Sequence, residues 1–289
     1  MFKKIVIFGV GLIGGSVALA LKKQPHPPQI IGVGRSNQSL QEAFQLGLID
    51  SAETDIAAAL QDADLVFLAT PVAQTPTILR AICPYLNSST IVTDAGSTKS
   101  DVMAYAKAEL GDKVSQFVGG HPIAGAEKSG PSAALADLYT GKNVILTPDA
   151  ETATEALEKV RTLWQQCGAV VSCMSAQEHD GVFAAVSHLP HLLAFALVED
   201  LAKRDNAELL FKFAASGFRD FTRIAGSHPE MWRDIALANK HALLTELNMY
   251  QQAINEMTAL LEQDNGDALH ALFEHASRAR NDWAKSKIQ

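Results

Sequence analysis

The hydrophobic pattern changes character once along this chain. Up to residue 173, short uncharged apolar runs alternate with segments of helical period; beyond it, nearly every segment has helical period. The first run lies in "KKIVIFGVGLIGGSVALALKK", which carries no charge from Ile5 to Leu21 and has two lysines on each side. It divides into a strand over residues 4–8, a glycine-rich turn over 9–14 and a helix over 15–23. Further runs over residues 30–34, 63–71, 90–97, 115–120, 142–148 and 168–173 have the length and composition of strands buried in a parallel sheet. Helical period over residues 75–83 and 152–166 supplies crossovers. This succession predicts an α/β domain with a Rossmann-type sheet.

In the remainder, residues 188–202 are apolar on most faces. Residues 228–262 place Met231, Ile235, Leu243, Leu244, Leu247, Ile254, Met257 and Leu261 at helical spacings and predict one long helix. Ser227 as its cap, Pro229 in its first turn and Glu230 three residues after Ser227 have the form of a capping box. A last helix is predicted within residues 266–285. The change of pattern places a boundary near Met174, between a sheet domain over residues 1–173 and an all-helical domain over residues 174–289. The helices carry more apolar surface than a thin layer on the sheet needs, so the chain is expected to form a homodimer through them.

The first run also has the parts of an export signal: a basic start, an apolar centre and Ala18-Leu19-Ala20 as an exit site. Cleavage there would remove half of the first βα unit, so the segment is expected to stay in the fold and the chain in the cytoplasm. The run is shorter than the roughly 20 residues of a bilayer span, and no membrane partner is expected. Between a strand and a helix, Gly9, Gly11 and Gly14 read as a dinucleotide fingerprint. Gly9 permits the tight turn, Gly11 lets the backbone approach a pyrophosphate, and Gly14 lets helix and strand pack closely. The amides at the helix entrance, those of Leu12 and Ile13 among them, face the phosphates. Thr70 and Pro71 close another strand at the same ligand edge. The second strand ends in Gly34-Arg35-Ser36, with no carboxylate before Glu42. A carboxylate there commonly binds the ribose of NAD, so Arg35 and Ser36 predict a 2′-phosphate and hence NADP in preference to NAD; with Arg35 merely solvated, either cofactor serves.

A net charge of -8 and a pI near 5.6 exclude a sequence-wide attraction to nucleic acid or anionic lipid. Cys83, Cys167 and Cys173 contain no CxxC pair, which fits buried thiols in a reducing compartment. "DAGSTKS" contains Lys-Ser without the glycine spacing of a P-loop, so no nucleoside triphosphate site is expected. Within it, Ser97 either caps the following helix or hydrogen-bonds near a ligand. His121, between Gly120 and Pro122 just beyond a strand, either reaches a ligand at the nicotinamide end of the cofactor or bonds to backbone. His179, Asp180, His188 and His191 lack an HExxH pattern or a cysteine partner, and no metal is expected. Arg219 and Arg223, four residues apart, form either a solvated basic face or a clamp for a carboxylate.

Five ordered motifs give these stretches a common meaning: "GVGLIGGS" over residues 9–16, "DAGSTKSDV" over 94–102, "GGHPIAGAEKSG" over 119–130, "SHLPH" over 187–191 and "DFTRIAGSHPEMWRDI" over 220–235. Together they resemble the prephenate dehydrogenase family, which includes arogenate and cyclohexadienyl dehydrogenases. The resemblance spans nearly the whole chain. It implies an N-terminal dinucleotide domain, a helical dimerisation domain and NAD(P)-dependent oxidative decarboxylation of prephenate to 4-hydroxyphenylpyruvate, or of arogenate to tyrosine. It also implies that His121 takes a hydrogen bond or proton from the ring 4-hydroxyl and that Ser97 orients that hydroxyl and the nicotinamide. His188 and His191 would line the substrate pocket and Arg223 would bind the ring carboxylate, while Arg219 and Lys99 either support the site or face solvent. A 3-hydroxyacid dehydrogenase or ketopantoate reductase type of enzyme finds only an echo in Asn239-Lys240 and leaves the GGHP and DFTR motifs unexplained. A non-catalytic dinucleotide sensor would not require His121.

Overall fold

The computed structural model describes residues 2–125 and 128–286; Ala126 and Glu127, within the motif over residues 119–130, lie outside them. Among the described residues, eight strands form one sheet: β1 (Lys4–Phe8), β2 (Gln29–Val33), β3 (Ser51–Glu53), β4 (Leu65–Leu68), β5 (Ile91–Asp94), β6 (Phe117–Pro122), β7 (Asn143–Thr147) and β8 (Val170–Cys173). Their order is β3-β2-β1-β4-β5-β6-β7-β8. The first six are parallel and have the doubly wound Rossmann order. β3 escapes the hydrophobic pattern because Ser51-Ala52-Glu53 is a short polar strand at the sheet edge.

The far edge departs from the all-parallel expectation. β7 runs antiparallel to β6, and β8 runs parallel to β7. Only Phe117 and Val118 of β6 pair with β5; the strand then continues past Gly120, with His121 opposite Ile145 and Pro122 opposite Val144. His121 therefore stands within a strand rather than in a loop beyond it. Its backbone is fixed by a ladder that local sequence does not display.

Thirteen α-helices occur among the described residues. Those of the strand region are α1 (Leu12–Lys22), α2 (Asn37–Gln45), α3 (Ile56–Leu60), α4 (Thr75–Ile82), α5 (Ser100–Leu110) and α6 (Thr154–Gln166). Alternate residues of β1 serve opposite layers, as strand geometry requires. Ile5 and Ile7 pack in a cluster with α1 and α6, while Val6 and Phe8 pack with α3, α4 and α5. At about 1.5–3 kcal/mol for each large apolar side chain fully buried, these two layers are the main source of stability. The uncharged run from Ile5 to Leu21 is thus apolar because β1 is central and covered on both faces.

After β8 follow α7 (Ala176–Phe183), a π-helical turn (Ala184–His188), α8 (Leu189–Ala202), α9 (Ala207–Lys212), α10 (Ser216–Thr222), α11 (Pro229–Ala238), α12 (Lys240–Glu262) and α13 (Gly266–Ser286). The continuous stretch Ala176–Ala202 has the length and apolarity of a bilayer span, with mean hydropathy 1.7. It also buries His179, Asp180 and His188, each hydrogen-bonded to protein groups. The single helix expected over residues 228–262 is two helices, since the chain breaks at Asn239. The expected capping box does not form there: His228 occupies the N-cap without a side-chain cap.

One compact unit ends at Lys240 and a second begins at His241. The first retains α7–α11 with the sheet, although the sequence pattern changes near Met174. Its physical tie is Asp180 of α7, whose carboxylate accepts the Lys99 and Ser100 amides at the head of α5, both at 2.8 Å. In the second unit, α13 buries no side chain among the described residues. Of the three thiols only Cys167 is fully buried; Cys173 is exposed and accepts a bond from Arg161.

Candidate active site

The C-terminal ends of β1, β2 and β4 meet at the point where strand order reverses, and a cavity of about 940 Å³ opens there. Gly9, Gly11, Arg35, Ser36, Thr70 and Pro71 all line it. Gly9 has φ +90°, a conformation that suits glycine, and a Cβ on it would meet the Ala69 carbonyl oxygen at 2.6 Å. A Cβ on Gly14 would lie 2.3 Å from the Gly9 carbonyl oxygen, so this glycine is required by helix-on-strand packing. Gly11 differs, because its nearest neighbour would be Gly130 N at 4.0 Å. The protein leaves that space open at the head of α1, where Gly11 is the N-cap and makes no side-chain cap bond.

This is a fitting cradle for a pyrophosphate: an open glycine face beside uncapped helix amides. The helix begins at Leu12, three residues earlier than expected, which brings the amides of Leu12, Ile13 and Gly14 into its first turn. The side chains of Leu12 and Ile13 pack against the core, and the Ile13 carbonyl accepts the Tyr139 hydroxyl at 2.7 Å. No Asp or Glu lines this cavity among the described residues, whereas Arg35 does. The Ser36 hydroxyl oxygen caps α2 by accepting Ser39 N at 3.2 Å, which leaves its proton available to another acceptor.

A second cluster forms at the adjoining strand ends. Asp94, at the end of β5, accepts Gly96 N at 2.8 Å on one oxygen and Gly120 N at 2.9 Å on the other. Ser97 and His121 each follow one of these two amides, so a single carboxylate sets the positions of both. Lys99, fully buried, forms an ion pair with Asp94. Breaking a buried pair by removing one partner costs about 3–5 kcal/mol, so Lys99 supports the site rather than facing solvent. α5 begins at Ser100 with Lys99 as its N-cap, and the capping role open to Ser97 is not taken.

His121 Nδ1 lies 2.8 Å from His179 Nε2, and His179 Nδ1 lies 2.9 Å from Asp180 Oδ1. Phe183 packs edge-on against the His121 ring, with centroids 4.9 Å apart. Burial pushes the His121 pKa well below the ordinary imidazole range, and the charge of nearby Lys99 acts in the same direction. Burial likewise lowers His179. Burial alone would raise Asp180, yet its bonds from His179, Ser100 and Lys99 carry the carboxyl below its ordinary range.

The other histidines have separate settings. His188 is buried, bonded at Nδ1 to Asn239 Nδ2 at 3.1 Å, and held down to about 4 by burial. His191 is partly buried; its Nδ1 donates to the Ser187 carbonyl at 2.9 Å and its ring stacks on Trp232, with centroids 3.6 Å apart. Burial lowers the His191 pKa, and the charge of Arg223 lowers it further, which places that guanidinium nearby. Arg219 is 78% exposed beside Asp220 at 3.9 Å, a solvated pair.

Sequence reasoning missed Asn239 as a site-building residue. Its amide joins the Asp180 carbonyl, at 2.8 Å, to His188. It also missed the pairing of His179 and Asp180 with His121, because these residues meet only across 58 positions of sequence. The available signal was the His-Asp dipeptide after Glu178, adjacent groups able to orient a third.

Residues 17–173 match the family model "Prephenate dehydrogenase, nucleotide-binding domain", and residues 175–275 match "Prephenate dehydrogenase, dimerization domain". The prephenate dehydrogenase of Bacillus subtilis is 40% identical over 96% of this chain and 75% of its own length. The cyclohexadienyl dehydrogenase of Zymomonas mobilis is 35% identical over 97% of this chain and 96% of its own. Among solved structures, prephenate dehydrogenase from A. aeolicus in complex with hydroxyphenyl propionate and NAD+ superposes with TM-score 0.93 at 38% identity, covering 98% of each chain. Synechocystis arogenate dehydrogenase superposes with TM-score 0.82 at 31% identity, covering 97% of this chain and 99% of that one.

Proposed function

The chain belongs to the prephenate dehydrogenase family, and from that premise we propose how its own residues carry out NAD(P)-dependent oxidative decarboxylation of prephenate or arogenate. The observation that carries the reading is His121, held on a strand beside the dinucleotide cavity's edge of the sheet and kept neutral by burial. His121 takes the proton of the ring 4-hydroxyl as the C4 hydrogen leaves with its electron pair. A dinucleotide held by Gly9, Gly11, Thr70 and Pro71 would supply the oxidised nicotinamide that takes up that hydride. The ring carboxylate departs as CO2, the electrons of its bond to the ring complete the aromatic system, and the proton returns from His121 to the oxygen. Substrate and NAD(P)+ become phenol product, CO2 and NAD(P)H with no net proton released.

Ser97 orients the hydroxyl, and Arg223 binds the ring carboxylate. His191 lines the substrate pocket through Nε2, since its Nδ1 is committed to backbone; His188 backs the pocket through Asn239. Residues 1–173 bind the cofactor and supply Ser97 and His121, and residues 174–289 bind the rest of the substrate and form the dimer. Arg35, Ser36 and the lack of a lining carboxylate among the described residues support NADP+ over NAD+. Apolar side chains exposed on α12 and α13 support a homodimer, and the covered first apolar run supports a cytoplasmic enzyme.

The test is turnover by purified protein with each substrate and each cofactor, beside His121→Asn. Loss of the base should lower kcat by roughly 10²-fold or more while cofactor affinity is retained. Near wild-type kcat in His121→Asn would remove this residue from the mechanism.

A further inference from the structure

His121 can act as a base only if the nitrogen facing the substrate carries no proton, and an imidazole by itself does not determine which nitrogen that is. We infer that His179 and Asp180 are positioning residues that hold the proton of neutral His121 on Nδ1 and so keep Nε2 free for the substrate hydroxyl. The inference rests on the reading of His121 as the base and follows from the polarity of a chain of bonds.

At its outer end, the Asp180 carboxylate accepts three bonds: Lys99 N at 2.8 Å, Ser100 N at 2.8 Å and His179 Nδ1 at 2.9 Å. Two of these partners are backbone amides, which only donate. An ionised carboxylate only accepts, so His179 Nδ1 carries the hydrogen. A neutral His179 then presents a bare Nε2, and the group 2.8 Å from it, His121 Nδ1, must be the donor. The unprotonated nitrogen of His121 is thereby Nε2. Reversing any link would place two hydrogens or two lone pairs face to face inside a buried cluster.

The chain is also rigid at each joint. Asp180 cannot turn without leaving two amides at the head of α5 unsatisfied, and its own carbonyl is held by Asn239 at 2.8 Å. His179 is fully buried, with its ring centroid 4.5 Å from that of Phe183, which also packs against His121. Proton uptake at Nε2 during the reaction leaves positive charge on a ring whose other nitrogen points, through His179, at a carboxylate.

The experiment compares His179→Leu with His179→Gln in the full-length enzyme. It adds ¹⁵N-histidine NMR of the wild type above neutral pH, with the His121 signals assigned by their loss in His121→Asn. The wild type should show His121 protonated at Nδ1. His179→Leu should lower kcat roughly tenfold or more, leave substrate and cofactor KM within about threefold, and move the His121 proton toward Nε2. His179→Gln should recover much of the lost kcat, because its amide can accept from His121 and donate to Asp180 as the imidazole does. A wild-type His121 protonated at Nε2, or a His179→Leu enzyme with undiminished kcat, overturns the inference. If His179→Leu does not fold, the wild-type tautomer and the Gln variant decide alone. Failure of the underlying reading is distinct, since it would appear as undiminished turnover in His121→Asn.

Discussion

Removing the guanidinium of Arg35 takes away a cation at the end of β2 and leaves the sheet core untouched, because the side chain is exposed where it lines the cavity. A charge-assisted contact to a phosphate is worth about 1.5–3 kcal/mol, so Arg35→Ala should lower kcat/KM for NADP+ by roughly tenfold or more and change that for NAD+ little. Wild-type enzyme that uses NAD+ at least as efficiently as NADP+ would remove the phosphate contact. Arg223→Ala should raise substrate KM roughly tenfold, and Arg223→Lys should recover little of it, since a point charge does not replace a bidentate fork; steady-state kinetics at saturating cofactor read this directly. His188 predicts a pH effect on stability. Its folded pKa is about 4 against 6.5 for the free side chain. Below 6.5 the unfolded chain therefore binds the proton that the folded one refuses. The unfolding free energy should be fully present above about pH 6.5 and fall by roughly 3 kcal/mol toward pH 4. Urea titrations across that range, at fixed protein concentration, should show a shallower slope in His188→Asn.

At the head of α1 the two inner glycines make opposite predictions. Gly14→Ala forces a Cβ to 2.3 Å from the Gly9 carbonyl and should destabilise the fold by about 1–3 kcal/mol. Gly11→Ala meets only open space, so its urea midpoint should match wild type while dinucleotide affinity, read by fluorescence titration, falls. An unchanged affinity in Gly11→Ala would place the pyrophosphate elsewhere. Elements of this kind were legible in sequence, because β1, β2 and β4 are continuous apolar runs and the glycine spacing is local. Elements shaped by distant partners were not. β6 looked finished at Gly120, where two glycines precede a histidine and a proline, yet its pairing with β7 carries it through Pro122. The helix over residues 228–262 looked continuous because apolar spacing runs straight through Asn239. That side chain is instead engaged with Asp180 and His188, and the chain breaks there.

On the scale of the whole molecule, α12 buries only Leu243, while Met249, Leu261, Phe273 and Trp283 stand exposed on α12 and α13. The proposed homodimer would cover this surface with a second copy, the occupant that the match to a dimerization domain supports. Sedimentation equilibrium should give twice the 31.0 kDa chain mass, and Phe273→Glu should shift the balance toward single chains; a wild-type monomer at micromolar concentration would refute this. The motifs made the fold and the family's chemistry readable from the chain. The wiring behind His121 was not readable, because it depends on contacts between groups far apart in sequence. That wiring joins two parts of the chain. His121 is encoded on one side of residue 173, and His179 and Asp180 on the other. A nucleotide-binding half grafted onto an unrelated helical half would arrive with two helix amides lacking an acceptor and a histidine with one nitrogen unheld. Exchange of either half for an unrelated one would thus break both contacts at once.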